Sequence, residues 1–195
     1  MIIYMTKSVK IILLINILSF VVQSILDNSD PWLISLALWP IDNDYSQIHQ
    51  WVTHMFLHAN FIHILFNMLI FISFGPLVER FLGSNKFVNF YMVAGLFAAG
   101  LHTIITNPTI PMIGASGAVF GVLGASAVIN PDQKVFVFFI PIGIKIKWVL
   151  PVIILLELYL GIVANDNVGH FAHIGGALVG LSYLGYLKYL KNEKG

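Results

Sequence analysis

Ser116, in the run Gly114-Ala115-Ser116-Gly117, and His173, in Ala172-His173-Ile174-Gly175-Gly176, each stand just inside the start of an apolar segment. A hydroxyl beside an imidazole is the pair that base-activated nucleophilic attack requires, because the imidazole takes the proton that the hydroxyl must lose. A third apolar segment carries His54, His58, His63 and Asn67 at or near its start. His63 and Asn67 are four residues apart and so project from one face of a helix, as do His54 and His58 on the turn above.

The elements that must bring these groups together follow from composition. Hydrophobic residues make up 58% of the 195-residue chain and charged residues 10%, against roughly 25% charged in an ordinary soluble domain. With a mean hydropathy of +0.87, the solvent to reason about is lipid. No cysteine is present, which excludes disulfides, thiol nucleophiles and thiolate metal sites.

Apolar runs bounded by charges and Pro/Gly clusters predict six membrane-spanning helices, centred near Ile17, Met68, Gly95, Val122, Leu155 and Leu181. Lys7 and Lys10 precede the first; Arg80 and Lys86 follow the second; Lys134, Lys145 and Lys147 follow the fourth; Lys188, Lys191 and Lys194 follow the sixth. All ten basic residues thus fall on one side, which predicts an all-α six-span bundle with both termini cytoplasmic. The opposite loops carry Asp27, Asp30, Asp42, Asp44 and Asp166 and no basic residue. Lys7 and Lys10 ahead of an apolar stretch also describe a signal peptide, but no small-x-small cleavage site follows, and a retained anchor is the favoured reading. Residues 1–195 are expected to form one membrane domain. The stretch from Val135 to Ile140 is too short to span and is read as a cytoplasmic connection or an extension of the fourth helix.

On this map Ser116, His173 and the His63-Asn67 pair enter from the outside at one depth. Polar groups left unsatisfied in hydrocarbon cost several kcal/mol each, which favours a shared wet cavity inside the bundle. Gly114, Gly117, Gly121 and Gly124 form a small-residue stripe on the fourth helix, and Gly176 and Gly180 form Gly-x-x-x-Gly on the sixth, faces that let backbones approach closely in lipid. Val179 is expected to face lipid.

His54-x-x-x-His58, His63-x-x-x-Asn67, Glu79-Arg80-x-x-Gly83-Ser84, Gly114-x-Ser116-Gly117 and Ala172-His173-x-x-Gly176-x-x-x-Gly180, in this order, resemble the rhomboid family of intramembrane serine proteases. The resembling core runs from about 45 to 190. The resemblance implies a Ser-His dyad without a catalytic acid: Ser116 as nucleophile, His173 as base, and His63, Asn67 and the Ser116 N–H around the oxyanion. His58, Gly114 and Phe120 are implied as substrate-cavity residues, Phe120 standing where relatives often carry a tyrosine stacked on the histidine. The implied substrates are single-span membrane proteins, cut near the outer edge of the bilayer, with no cofactor, metal or nucleic acid required. A bacterial inner membrane is the expected location.

Two alternatives stay open: a catalytically inactive client-binding relative, and a metal site built on His54, His58 and His63. Where the family commonly carries Trp-Arg in the outer loop, this chain has His49-Gln50, which leaves the anchoring of that loop open. Glu79 and Arg80 are expected to tie down a turn. His102 and His170 are read as wet structural residues, His49 as a loop residue and Asp166 as a solvated loop charge. Glu157, expected near the middle of the fifth span, is a third triad member, an interhelical donor or a gate residue, with a structural role preferred.

Overall fold

The computed structural model describes residues 5–26, 30–106, 110–136, 142–164 and 166–193. Asp27, the 137–140 part of the apolar stretch and Lys194 lie outside the described residues. Each of the six apolar runs becomes one long helix: α1 (Lys7–Ile25), α4 (Phe61–Leu82), α5 (Ser84–Thr106), α6 (Ser116–Ile129), α7 (Ile146–Val163) and α8 (His170–Glu193). Two short helices, α2 (Pro31–Leu36) and α3 (Gln50–Thr53), lie between α1 and α4. Helices α1, α4, α5 and α7 are long and apolar enough to cross a membrane. Helix α6 has 14 residues, about 21 Å of rise. Helix α8 has 24 but carries Lys188, Lys191 and Glu193 near its end.

Local chemistry sets the boundaries. The Asn60 side chain caps α4 by accepting the His63 N–H at 2.9 Å. The helix stops at Gly83, whose φ of +81° suits a residue without a β-carbon. In its last turn, Glu79 accepts hydrogen bonds from the Thr6 hydroxyl, from the Ser8 and Val9 N–H groups at 2.9 Å each and from the Ser84 hydroxyl at 2.7 Å. The two N–H groups are first-turn donors of α1 with no partner in their own helix. A carboxylate there also complements the helix dipole, so Glu79 ties the starts of α1 and α5 to the end of α4. The Lys188 ammonium donates to the Val128 carbonyl at 3.0 Å and joins the ends of α8 and α6.

After α6, Pro131 disfavours helical backbone at Asn130. Lys134–Phe136 (β1) then pairs antiparallel with Gly143–Lys145 (β2). Val135 and Phe136 therefore lie in a strand and do not extend the helix. Hydrogen bonds from Lys147 and Lys145 hold the Asp132 carboxyl down at about 2, with contacts of 2.8 and 2.9 Å.

At the opposite end, the loop between α1 and α4 is organised by Gln50, which has no solvent exposure. Its amide nitrogen donates to the Ser35 and Tyr45 carbonyls at 3.2 and 2.8 Å, and its oxygen accepts from the Trp39 and Gln47 N–H groups at 3.3 and 3.1 Å. His49 adds a 2.8 Å contact from Nε2 to the Ser35 carbonyl. The His49-Gln50 pair thus anchors this loop. Leu38 and Met112 exchange two backbone hydrogen bonds, of 3.0 and 2.8 Å, and fasten the loop to the approach to α6.

Helix α6 sits at the centre, against α4, α5 and α8. A methyl group on Gly117 or Gly121 would come within 2.5 and 2.6 Å of the Ala98 and Ala94 methyls of α5, and one on Gly124 within 2.6 Å of the Ala177 carbonyl of α8. From the other side, methyls on Gly176 and Gly180 would collide with the Gly117 and Gly121 carbonyl oxygens. The glycines do mark the α6–α8 contact. Val179 does not face lipid as expected: it is half-buried and packs on the core, because α8 turns it toward the bundle. Ser182 is exposed.

Gly180→Leu is expected to lower the melting temperature strongly, since its side chain must displace the α6 backbone; overpacking costs about 1–3 kcal/mol or more. Ser182→Leu should melt like the parent, and equal melting of the two variants would contradict the packing described. Gln50→Leu keeps the volume but removes four hydrogen bonds to backbone groups; the Ser35 carbonyl keeps His49, and each of the other three costs about 1–3 kcal/mol where it stays buried. Limited proteolysis should then cut first within residues 35–50.

Candidate active site

A cavity of about 1150 Å³ lies at the end of the bundle away from the basic residues, walled by α4, α5, α6, α8 and the loops ahead of α6 and α8. Ser116, His63, Asn67, Gly114, Phe120 and His173 all line it, together with His54, His102 and His170. His58 does not. It is fully buried behind the wall, edge-on to the His63 ring with centroids 5.0 Å apart. Its backbone is held at both ends by the Gln23 side chain of α1, through bonds of 3.0 and 2.7 Å.

Ser116 is the first residue of α6, so its N–H is one of the four that a helix start leaves without an internal partner. His173 is the fourth residue of α8. Phe120, one turn beyond Ser116, lies flat on the His173 ring, with centroids 4.4 Å apart and planes 4° from parallel. Close approach of α6 and α8 is what allows this stack. The imidazole is thereby held beside the turn that begins with Ser116.

Gly114 precedes this turn with a φ of +128°, a conformation that L side chains rarely adopt. A methyl group there would lie 2.9 Å from His63 Nε2 and 3.8 Å from Ser116 Oγ. The missing β-carbon therefore leaves a gap bounded by a hydroxyl and an imidazole nitrogen. His63 Nδ1 accepts the Ala59 N–H at 3.3 Å, which assigns the ring proton of the neutral tautomer to Nε2, the atom facing the gap. Asn67, one turn along α4, is 6% exposed and lines the same cavity, and its amide nitrogen has no hydrogen-bond partner. A buried, unpaired donor costs stability. An unpaired donor in the cavity that a serine hydroxyl also lines suits a negative charge that exists only during a reaction.

His54 is fixed differently. Its Nδ1 donates to the Gln50 carbonyl at 2.7 Å, and burial pushes the ring down to about 4, so it is neutral at pH 7. Its carbonyl accepts the Gly114 N–H at 2.9 Å and ties the loop ahead of α6 to the turn ahead of α4.

Residues outside the expected set also belong here. Glu157, six residues before the end of α7, places Oε2 2.6 Å from His170 Nδ1 and 3.0 Å from His173 Nδ1. The first contact is a hydrogen bond; the second has the distance but is bent from the ring N–H direction, leaving His173 Nδ1 without an aligned partner. His170 is buried in the cavity wall, and its Nε2 lies 3.2 Å from Asp166 Oδ1. Asp166 is therefore more than a solvated charge. His170 and His173 are three apart and share a helix face, so a lone carboxylate on the preceding helix was the signal available in the sequence.

Among the described residues, Glu157, His170 and His173 form the one group with metal-ligand atoms, all within 4.8 Å of one another. The 2.6 and 3.0 Å separations are shorter than the edge of about 3.3 Å between ligands of a tetrahedral zinc. They are hydrogen-bond distances. His54, His58 and His63 form no such group among the described residues, so the expected alternative of a metal site on them has no geometric support.

Apolar membrane-length helices around a serine- and histidine-lined cavity define an integral membrane protein. The Rhomboid domain family model matches residues 45–190. The chain is 30% identical over 139 residues to Rhomboid protease GlpG of Haemophilus influenzae, covering 70% of this chain and 68% of that one. It is 36% identical over 129 residues to Rhomboid protease GluP of Bacillus subtilis, covering 66% and 24%, and 33% identical over 148 residues to the mitochondrial Rhomboid protein 1 of Saccharomyces cerevisiae, covering 68% and 40%. The chain belongs to the rhomboid family. It spans about two thirds of the first of these relatives and less than half of the other two.

Gly114→Ala should close the gap between His63 and Ser116 and strain the backbone. The expected result is loss of labelling of Ser116 by a fluorophosphonate probe, by at least about 10²-fold in rate, with the protein still folded. Labelling at the parent rate would mean that the gap has no part in the reactivity of Ser116.

Proposed function

We propose that this chain is an intramembrane serine endopeptidase that cleaves transmembrane-helix substrates with Ser116 as nucleophile and His173 as general base. The observation that carries the reading is the gap beside Gly114, bounded by Ser116 Oγ and His63 Nε2, with the unpaired Asn67 amide in the same cavity. Ser116 attacks the scissile carbonyl and gives its proton to His173. The carbonyl oxygen, now negative, takes hydrogen bonds from His63 Nε2–H, the Asn67 amide and the Ser116 N–H. His173 then passes the proton to the leaving amine, and water repeats the sequence on the acyl-enzyme.

In this reading the six long helices all cross the bilayer as one domain over residues 1–195, with the basic ends cytoplasmic and the cavity opening outside, in a bacterial cell membrane. The charge distribution supports that orientation. The length of α6 supports the depth of the site: about 21 Å of helix in about 30 Å of hydrocarbon leaves Ser116 roughly 9 Å below the outer boundary. Water reaches it through the cavity. A substrate helix must unwind to expose a peptide bond, so Gly, Pro or small polar residues near its outer end favour cleavage.

The deciding experiment incubates the purified chain in detergent or liposomes with a generic single-span substrate. Ser116→Ala and His173→Ala are each expected to abolish cleavage while the protein stays folded, because the two groups act as a unit. His63→Ala and Asn67→Ala should each lower turnover by about 10²- to 10³-fold, with a smaller effect on KM. Cleavage that persists in Ser116→Ala would reject the assignment.

A further inference from the structure

Glu157 is the one charged residue of α7 beyond its first turn. A carboxylate within an apolar helix is costly unless partners compensate for its charge. The partners it meets are two imidazoles, and one of them is His173.

We infer that Glu157 is a positioning residue for His173: its carboxylate holds the imidazole in the tautomer with the proton on Nδ1 and opposes the positive charge the ring acquires during attack. The inference rests on the Ser116–His173 reading above. With the proton on Nδ1, the nitrogen 3.0 Å from Oε2, the Nε2 lone pair is free to take the proton of Ser116, the division of labour an acid supplies in a serine triad. In the step itself the Ser116 O–H bond breaks as the Oγ–C bond forms. The proton goes to His173 Nε2, and the carbonyl π pair goes to the oxyanion. No proton passes to Glu157.

Two contacts hold the carboxylate in place beside the ring, and a third holds the ring itself. His170 Nδ1 binds the same Oε2 at 2.6 Å, and His170 is itself steadied by Asp166 at 3.2 Å. On the other side, Phe120 covers the His173 ring face at 4.4 Å. The 3.0 Å separation is within hydrogen-bond distance, and hydrogen bonds of catalytic groups are commonly loose before substrate binds. The groups facing this cluster are Glu157 from α7, Asp166 from the preceding loop, His170 and His173 from α8, and His63 and His102 across the cavity.

The test uses the full chain in detergent with the single-span substrate. Glu157→Gln keeps the shape, but its amide can donate to Nδ1 and select the tautomer whose Nε2 cannot accept a proton. The expected outcome is a fall in kcat of about 10²-fold or more with KM and melting temperature near the parent's, and partial recovery of kcat in Glu157→Asp. A kcat for Glu157→Gln within about threefold of the parent overturns the inference. Recovery of activity by zinc after chelation, lost in Glu157→Gln, would also overturn it in favour of coordination. If Glu157→Gln fails to fold, ¹⁵N-histidine spectra of the unaltered protein decide. A His173 proton on Nδ1 is expected, and one on Nε2 overturns the inference. An unaltered protein that cleaves nothing and whose Ser116 takes no fluorophosphonate would instead reject the protease reading, while the spectrum still reports on Glu157.

Discussion

Contact between the backbones of α6 and α8 is the constraint on which the site depends. In lipid no hydrophobic force draws one helix to another, because the surrounding chains are as apolar as leucine. Association rests on packing, and packing is closest where side chains are missing. Gly117 and Gly121 face Gly176 and Gly180 so closely that a single methyl on α8 meets an α6 carbonyl oxygen. At such distances Cα–H groups contact carbonyl oxygens directly. The Phe120–His173 stack lies near the Ser116 end of this contact, so the relation between serine and histidine is set by backbone rather than by long, adaptable side chains.

The polar groups divide into two kinds. At the loop ends they are satisfied in dense clusters. Glu79 takes four hydrogen bonds at the basic end, and Gln50 makes four at the other. Within the cavity some are not: the Asn67 amide is unpaired, and His63 Nε2 faces the position a Gly114 β-carbon would take. Stable caps at both ends make unsatisfied donors tolerable in between, and a preorganised donor gives up no reorganisation energy when negative charge appears beside it.

Much of this was legible in the sequence because it depends on short-range pattern. Apolar runs locate helices, and the six centres read from them coincide with the six long helices. Glycine spacing located the α6–α8 contact for the same reason. What escaped depends on chain segments that meet across a turn or a loop. Val179 follows Leu178 in an apolar stretch, and only the rotation of α8 decides which of them faces inward. The hairpin at Lys134 is too short for a periodicity. His58 shares a turn with His54, but the extended backbone at Leu57 ends that turn and sends the two rings to different sides of the cavity wall. Gln50 was visible as a departure from the family's usual pair. Its role depends on four carbonyl and N–H groups, which no sequence pattern exposes.

Glu157 follows the same logic and bears on α7 as a whole. Of its most apolar window 11% is buried, against 44% for α4, and α7 enters the core mainly at its start, through Ile146 and Leu150. Toward its other end Gly161 packs against Phe171 and His170, where a methyl would lie within 3.0 to 3.2 Å of their side chains. The same end carries the carboxylate shared by His170 and His173. In a low-dielectric surrounding a charged hydrogen bond is stronger than in water. The polar tether that keeps this thinly packed helix against α8 therefore ends on the imidazole that stacks over Phe120. One oxygen atom of α7 thus lies within 3.0 Å of both imidazoles of α8.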